Sequence, residues 1–218
     1  MTRPEGQLRI TEIFLSLQGE TNTMGLPTVF VRLTGCPLRC QYCDTAYAFS
    51  GGKLMSFDTI LDTVQNKGVR YVTVTGGEPL AQPNVHMLLT TLCDEDFIVS
   101  LETSGAVDIS GVDPRVVKIL DIKTPGSGEV SRNLWKNIDH CDTKDQIKFV
   151  ICNRQDYDWA KLKCDEHTLS KKVADVLFSP SADELCATEL ADWIIEDRLP
   201  VRMQIQLHKY LWGDQPGR

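Results

Sequence analysis

Short apolar runs rich in β-branched residues recur along the chain, and stretches with helical hydrophobic spacing separate them. The runs predict eight strands, at residues 8–17, 28–34, 69–75, 97–101, 116–120, 146–151, 173–178 and 201–207. The helical spacing predicts helices at about 57–67, 83–93, 131–138, 156–170 and 183–196. Ser56 is placed to cap the first of these helices. Strands that alternate with helices imply a parallel sheet built from βαβ units.

This pattern predicts an α/β protein folded as a partial, open parallel β/α barrel. A closed barrel of eight such units typically takes about 250 residues, which is more than the 218 residues present here. A cysteine-bearing loop at about 35–50 takes up further chain. Because no linker, repeat or low-complexity segment interrupts the pattern, we expect residues 1–218 to form a single domain, capped by the tail at about 208–218.

The composition, with 42% hydrophobic and 24% charged residues, is ordinary for a globular protein. A net charge of −7 does not provide the basic footprint that binding to nucleic acid needs. No apolar run approaches the roughly 20 residues that span a membrane, and the N-terminal residues show no apolar signal region. We therefore expect a cytoplasmic protein that binds neither nucleic acid nor membranes and whose thiols stay reduced.

Three cysteines stand close together in the loop after the second strand, with the spacing Cys36-x3-Cys40-x2-Cys43. No fourth cysteine lies near them in the sequence, whereas a closed structural zinc site needs four ligands. A [4Fe–4S] cluster also usually takes four cysteines, one for each iron. Three thiolates on a tight loop therefore suit a metal cluster with one open coordination site.

Polar residues and glycines cluster where the predicted strands end, at 76–78, 102–104, 121–123 and 179–180. In parallel α/β folds, sites are built at the carboxyl edge of the sheet. The cysteine loop follows a strand in the same way. We therefore expect the cysteines and these strand ends to face one cavity.

The cysteine motif, with Tyr42 directly before its last cysteine, resembles the signature of radical S-adenosylmethionine (SAM) enzymes. The segment Gly76-Gly77-Glu78-Pro79, after the next strand, resembles the second motif of that superfamily. The resemblance implies a partial barrel of the radical SAM type, a [4Fe–4S] cluster held by three cysteines, and SAM bound at the open iron. It also implies radical chemistry started by SAM cleavage, while the protein supplies binding and orientation.

Further segments resemble the 7-carboxy-7-deazaguanine synthases, over about residues 8–213. These segments are Leu17–Glu20, Val29–Cys36, Cys43–Thr45, Glu102–Gly105 and Gln206–Trp212. The resemblance implies a lyase of queuosine biosynthesis that converts 6-carboxy-5,6,7,8-tetrahydropterin into 7-carboxy-7-deazaguanine with loss of ammonia. It further implies a requirement for Mg²⁺, an electron donor such as a flavodoxin or ferredoxin, and a homodimer.

Transferred position by position, the resemblance also implies the site residues. The cluster ligands would be Cys36, Cys40 and Cys43, and the Mg²⁺ ligand would be Thr45. SAM would be held by Tyr42, Gly77, Glu78, Ser104, Lys123, Ser179 and Pro180. The substrate would be held by Leu17, Gln18, Gly19, Arg32, Thr75 and His208.

Physical reasons support several of these roles. A side chain at Gly77 would block the approach of the backbone to SAM. The guanidinium of Arg32 matches a substrate carboxylate in a fixed fork, and the amide of Gln18 suits the guanine-like edge of a pterin. The hydroxyl of Thr45 is a weak ligand, so it suits Mg²⁺ only if a substrate carboxylate and water complete the octahedron.

Alternatives remain open at several of these residues. Tyr42 either lies beside the adenine of SAM or is a packing aromatic, and Glu78 either contacts SAM or caps local backbone. Arg32 either binds substrate or makes a structural salt bridge. Thr45 is alternatively a turn hydroxyl. His208, at the end of the last predicted strand, either touches the substrate or is structural.

Two other classes of protein compete for the whole chain. A glycyl-radical-enzyme activase has the same cysteine spacing, but its protein substrate does not need Arg32 or a metal at Thr45. A zinc or iron–sulfur module without SAM chemistry predicts a fourth nearby ligand and has no use for Gly76-Gly77-Glu78.

Overall fold

The computed structural model describes residues 6–182, 184–213, 215 and 217. Its strands are β1 (Gln7–Leu17), β2 (Pro27–Leu33), β3 (Lys53–Ser56), β4 (Tyr71–Gly76), β5 (Ile98–Thr103), β6 (Val117–Ile122), β7 (Gln146–Ile151), β8 (Asp175–Pro180) and β9 (Arg202–Met203). Its α-helices are α1 (Phe57–Gln65), α2 (Val85–Asp94), α3 (Arg154–Glu166), α4 (Ala187–Asp197) and α5 (Leu207–Trp212). These strands form one sheet in the order β3-β1-β2-β4-β5-β6-β7-β8-β9.

Most of this sheet is parallel, as the alternation of strands and helices predicted. Each neighbouring pair from β2 to β9 is parallel. Within the described residues the edge strands β3 and β9 do not pair with each other, so the sheet stays open. The expectation of a parallel sheet is wrong at one edge, where β1 pairs antiparallel with β2 and with the unpredicted β3. A direct loop at 18–26 replaces the crossover helix that a parallel β1–β2 pair would need.

The two faces of each strand decide which side chains reach the site, because successive residues point to opposite faces. In β2, Val29, Val31 and Leu33 join the hydrophobic core. Phe30 and Arg32 line a cavity on the other face. The apolar faces of α1 and α2 are buried in the same core. No helix in the described part of the chain is long and apolar enough to cross a membrane.

The predicted helix at 131–138 is wrong. The chain there forms 3₁₀ turns at Val130–Arg132 and Trp135–His140. The buried side chain of Asn137 accepts from the backbone N of Ile109 at 3.2 Å and donates to the carbonyl oxygens of Gly105 and Val107 at 3.1 and 2.8 Å. These bonds to another loop override the helical spacing of the apolar residues.

The last predicted strand, 201–207, is also corrected, because β9 is only two residues long. After β9 the side chain of Gln204 accepts from the backbone N of Thr21 at 2.8 Å, and the backbone N of Leu207 donates to Gly19 O at 3.0 Å. The chain therefore leaves the sheet to pack on the 18–26 loop. As a result His208 lies in α5 rather than at the end of a strand.

Candidate active site

A cavity of about 830 Å³ opens at the carboxyl ends of the parallel strands. The cysteine loop, the 18–26 loop and α5 complete its wall. Of the seventeen predicted site residues, all except Glu78 line this cavity. They are Leu17, Gln18, Gly19, Arg32, Cys36, Cys40, Tyr42, Cys43, Thr45, Thr75, Gly77, Ser104, Lys123, Ser179, Pro180 and His208.

The cysteine loop is fixed at both its start and its interior by hydrogen bonds. At its start, Glu78 N donates to Gly35 O at 2.8 Å. Further along, Nη1 of Arg39 donates to the carbonyl oxygens of Cys36 and Leu38 at 2.8 and 2.6 Å. These bonds hold Cys36 beside the end of β4.

The three thiols of the loop are free and partly buried. Burial raises the pKa of Cys36, and it raises the pKa of Cys40 to about 11. Such thiols ionise when a metal supplies the compensating positive charge. Among the described residues, no three His, Cys, Asp or Glu side chains are grouped to hold a single metal ion. The donor set fits a polynuclear cluster, in which each thiolate binds a different iron.

Gly77 is required by packing within the protein, which is a different reason from the predicted one. A Cβ at this position would lie 2.2 Å from Gly35 O and 3.0 Å from the Cβ of Cys36. Gly76, with a φ of +141°, likewise leaves no room, since its Cβ would lie 2.3 Å from Leu33 O. The two glycines therefore let the end of β4 pack directly beneath the cysteine loop.

The prediction that Glu78 contacts SAM is corrected by the structure. Its carboxylate is fully buried and accepts hydrogen bonds from the Thr103 hydroxyl at 2.9 and 3.0 Å and from the Ser104 backbone N at 2.7 Å. It also accepts from the Ser104 hydroxyl and from Leu80 N. With its oxygens used in this way, Glu78 caps local backbone and fixes Ser104, which does reach the cavity.

Two buried polar atoms beside the cysteine loop have no hydrogen-bond partner among the described residues. They are the hydroxyl of Tyr42 and Oδ1 of Asp121, and both residues line the cavity. Nζ of Lys123 lies 3.1 Å from Oδ2 of Asp121 and 6.0 Å from the centre of the Tyr42 ring. Burial, followed by the charge of Asp121, raises the pKa of Tyr42. Buried polar groups are normally paired, so these two atoms are exceptions in the wall of the cavity.

The amide of Gln18 is used inside the protein, contrary to its predicted role in reading the substrate. Its Nε2 donates to Thr73 Oγ1 at 3.1 Å and to Glu102 Oε1 at 3.4 Å. Its Oε1 accepts from Glu20 N at 3.2 Å. Gln18 therefore shapes the turn after β1.

Arg32 makes the salt bridge that the sequence left as an alternative, and it also faces the cavity. Its Nε lies 2.8 Å from Oε1 of Glu12. The guanidinium carbon lies 5.8 and 5.9 Å from the ring centres of Phe14 and Tyr47. The two aromatic rings and the ion pair hold the cation at the wall of the cavity.

The remaining predicted polar residues are each tied to a neighbour. Thr45 Oγ1 donates to Oδ1 of Asp44 at 2.7 Å, and Thr75 Oγ1 donates to Oε2 of Glu102 at 2.8 Å. His208 packs against Gly19 so closely that a Cβ on the glycine would lie 2.4 Å from its Nδ1.

Three charged residues of the cavity wall, of which Glu20 is buried and Glu102 and Lys148 are partly buried, were missed by sequence reasoning. Lys148 pairs with Glu20, and burial together with the charge of Glu20 raises the pKa of Glu102. Although burial opposes ionisation, Lys148 holds the pKa of Glu20 below its ordinary value. Glu20 and Glu102 could have been found, since each stands in a motif after a strand. Lys148 lies inside β7, where only the fold reveals its partners.

The predicted tail partly reaches the site. Gly213, Gln215 and Gly217 line the cavity, whereas residues 214, 216 and 218 lie outside the described part of the chain. The prediction that the tail caps the cavity stays a prediction.

Three free cysteines on one loop, at the edge of an open and mostly parallel β/α sheet, are typical of a radical SAM protein. The family model described as the radical SAM superfamily matches residues 30–121. The chain is 44% identical to the 7-carboxy-7-deazaguanine synthase of Chlorobaculum tepidum, over 96% of each chain. It is 41% identical to that of Koribacter versatilis, over 94% of this chain and 97% of the relative. The chain belongs to the family of 7-carboxy-7-deazaguanine synthases.

Solved structures support the fold. The crystal structure of QueE from Escherichia coli superposes with a TM-score of 0.76, at 24% identity, over 93% of this chain and 95% of that chain. Streptococcus suis SuiB superposes with a TM-score of 0.58 over 79% of this chain and 46% of that chain. The predicted fold class and the predicted enzyme class, a radical SAM lyase of queuosine biosynthesis, are thereby confirmed. Family membership implies a [4Fe–4S] cluster and SAM. It also decides against the two alternatives, a glycyl-radical-enzyme activase and a metal module without SAM chemistry.

Proposed function

We propose that this cavity converts 6-carboxy-5,6,7,8-tetrahydropterin into 7-carboxy-7-deazaguanine with loss of ammonia, with Mg²⁺ bound beside the substrate. This proposal rests on one observation: three free thiols, unpartnered polar atoms and charged side chains lie together in one cavity. When bound together, the cluster and SAM supply the radical that removes a substrate hydrogen. The residues of the chain bind, orient and shield the reactants.

The SAM side of the cavity is assigned to the wall next to the cysteine loop. The unpartnered oxygens of Tyr42 and Asp121 support this assignment, because a ribose or an amino group would pair them. Gly77 and Ser104 lie on the same wall, with Ser104 held by Glu78. Lys123 and the Ser179–Pro180 turn complete the set.

The Mg²⁺ side is assigned to Thr45. Its hydroxyl lines the cavity and makes no capping bond to the 3₁₀ turn that follows it, so its oxygen lone pairs are available to a cation. Asp44, which accepts the Thr45 proton at 2.7 Å, orients those lone pairs. Mg²⁺ takes few protein ligands and keeps several waters, so a single hydroxyl with a substrate carboxylate suits it.

The substrate side is assigned to the opposite wall. The guanidinium of Arg32 offers a charge-assisted fork to the substrate carboxylate. The carboxylates of Glu20 and Glu102 line the cavity and would accept N–H bonds from the pterin ring. Thr75, His208 and the backbone of residues 17–19 surround the same space.

Two further expectations concern partners. An electron donor such as a flavodoxin or ferredoxin would reduce the cluster, and the chain would act as a homodimer. Both rest on the family, and both stay predictions that a pull-down and a sedimentation experiment would check.

The function is tested by anaerobic reconstitution with iron and sulfide, followed by turnover with SAM, a reductant and the pterin. We expect 5′-deoxyadenosine and a deazapurine to appear together. Formation of neither product would refute the assignment of this cavity.

Thr45→Ala tests the Mg²⁺ site. We expect the cluster spectrum to persist while the stimulation of turnover by Mg²⁺ falls about tenfold or more, because one of few protein ligands is lost. Thr45→Ser keeps the hydroxyl and should retain most of the stimulation. Thr63→Ala, in α1 and outside the cavity wall, should leave the stimulation unchanged. If Thr45→Ala responds to Mg²⁺ like the parent protein, Thr45 is not the ligand.

A further inference from the structure

Gln206 lies between two carboxylates that come from distant parts of the chain. Its Nε2 is 3.0 Å from Oε1 of Glu20 and 2.9 Å from Oδ2 of Asp44. Glu20 belongs to the turn after β1, and Asp44 belongs to the cysteine loop. A primary amide carries two N–H donors, so one nitrogen can serve both acceptors at once. Gln206 therefore joins two separate walls of the cavity.

Each of the two carboxylates also contacts a second residue of the cavity wall through its other oxygen. The second oxygen of Asp44 accepts the hydroxyl proton of Thr45 at 2.7 Å. The second oxygen of Glu20 pairs with Lys148. Through Asp44, Gln206 is thus connected to Thr45, the proposed Mg²⁺ ligand. Through Glu20, it is connected to Lys148 on the proposed substrate side of the cavity.

A neutral double donor is the side chain that suits this position. Burial and the charge of Asp44 both work to raise the pKa of Glu20, while hydrogen bonds from Lys148 and Gln206 work to lower it. Without a donor between them, the two carboxylates would repel each other across the gap. A donor without charge keeps them together and leaves Lys148 as the partner of Glu20.

The backbone around Gln206 is anchored on the same turn. Leu207 N donates to Gly19 O at 3.0 Å, and Gln204 Oε1 accepts from Thr21 N at 2.8 Å. The position of the Gln206 amide is therefore set by the 18–26 loop. The amide in addition donates a hydrogen bond to Asp44 of the cysteine loop.

We propose that Gln206 is a positioning residue that fixes the Asp44–Thr45 part of the cysteine loop relative to Glu20 in the 18–26 loop. It acts on the Mg²⁺ and substrate sites through the two carboxylates that it bridges. This inference rests on the proposed function, because it takes Thr45 as the Mg²⁺ side and Glu20 as part of the substrate side.

The test compares Gln206→Met, which keeps the size but loses both donors, with Gln206→Glu, which adds a like charge. We expect the half-activating Mg²⁺ concentration and the KM for the pterin to rise together, about tenfold for Gln206→Met and further for Gln206→Glu. At saturating Mg²⁺ and pterin, kcat should stay within about twofold, since no group that contacts the reacting atoms is lost. The change that SAM produces in the electron paramagnetic resonance spectrum of the cluster should also persist.

Gln65 supplies the matched control. On the surface of the molecule its Nε2 donates to Oε2 of Glu95 at 3.0 Å, so Gln65→Met and Gln65→Glu make the same chemical changes away from the site. Both variants should keep the parent values of KM and half-activating Mg²⁺.

Hydrogen exchange of the cluster-loaded protein without substrate gives a readout that does not depend on activity. In Gln206→Met the amides of residues 43–48 should exchange about tenfold faster, while those of α1 should not change. This measurement also serves if Gln206→Glu fails to fold.

The outcomes separate this inference from the proposed function. If both Gln206 variants keep the parent KM, Mg²⁺ requirement and exchange rates, the inference is wrong. A fall in kcat with unchanged KM and Mg²⁺ requirement also overturns it. If the parent protein itself shows no response to Mg²⁺, the proposed Mg²⁺ site fails, and the KM and exchange measurements still decide the role of Gln206.

Discussion

Gly77 shows how closely the chain packs around Cys36, the first cysteine of the motif. The carbonyl oxygen of Gly35, 2.2 Å from a Cβ built at position 77, is also bonded to Glu78 N. It cannot retreat without moving the cysteine loop, because it is backbone rather than the end of a flexible side chain. Cys36 can therefore keep its position only if residue 77, directly after β4, has no side chain.

Gly77→Ala is expected to displace Cys36, so that less iron is bound per chain after reconstitution. We also expect the unfolding free energy to fall by about 1–3 kcal/mol, the usual cost of forcing extra volume into a packed site. Iron analysis and anaerobic thermal unfolding check both effects.

Gly111→Ala is the control for this substitution. A Cβ at Gly111 would lie 3.4 Å from Cε1 of His86, near ordinary contact, so iron content and stability should stay close to those of the parent. Normal iron content in Gly77→Ala would contradict the packing argument.

At the scale of elements, helix starts follow local chemistry closely. Ser56 ends β3 and caps α1, its hydroxyl accepting from Thr59 N at 3.2 Å. Asn153 does the same for α3, accepting from Asp156 N at 3.0 Å. Both caps act over three residues, so the sequence alone predicts the start of α1. The ends of strands are different, as β9 shows, because they depend on where a partner strand stops.

Ser56→Ala should lower the unfolding free energy by about 1 kcal/mol, the typical value of an N-cap hydrogen bond. For a chain of this size that corresponds to a fall of about 2–4 °C in the unfolding temperature. Ser56→Asp keeps an acceptor at the same place and should retain most of the stability. Equal unfolding temperatures for Ser56→Ala and the parent would show that the cap contributes nothing.

At the scale of the whole molecule, opposite charges connect elements across the open barrel. Lys148 of β7 reaches Glu20 in the turn after β1, and the charges of Asp121 and Glu102 act on it as well. Burial opposes the charge of Lys148, and these carboxylates restore it, so its pKa is raised. A largely buried cation among carboxylates thus holds this wall of the cavity together.

Lys148→Met should destabilise the protein by about 3–5 kcal/mol, because carboxylates are left buried without their partner. In the parent, Glu20 has a lowered pKa, so its pairing stabilises the fold above the ordinary pKa of Glu and is lost as pH falls through the lowered value. In the variant, burial acts on Glu20 unopposed by Lys148 and would raise its pKa. The difference in unfolding free energy between the parent and Lys148→Met should therefore be largest near neutral pH and become smaller as pH falls.

Lys172→Met is the control for the loss of a cation. Lys172 pairs at the surface with Asp139 at 3.5 Å, and such pairs contribute about 0–1 kcal/mol. Denaturant unfolding at several pH values compares the two variants. A pH-independent deficit in Lys148→Met would contradict the electrostatic explanation.

The sequence by itself determined what depends on neighbours along the chain. Strand and helix periodicity predicted most of the elements in their order, but it missed β3 and α5 and predicted a helix at 131–138 where the chain forms 3₁₀ turns. The Ser56 cap predicted the start of α1, and the cysteine spacing predicted the donor set. The motifs after the strands also predicted most of the cavity wall, because parallel strands bring their carboxyl ends to one edge.

The tertiary structure decided what depends on distant groups. It turned Glu78 and Gln18 from expected ligand contacts into internal supports, because Ser104, directly after β5, and Thr73 of β4 take up their hydrogen-bonding groups. It also ended β9 early and placed Lys148 against Glu20. Burial makes such long-range pairings decisive, since each buried polar group must find a partner wherever the chain supplies one.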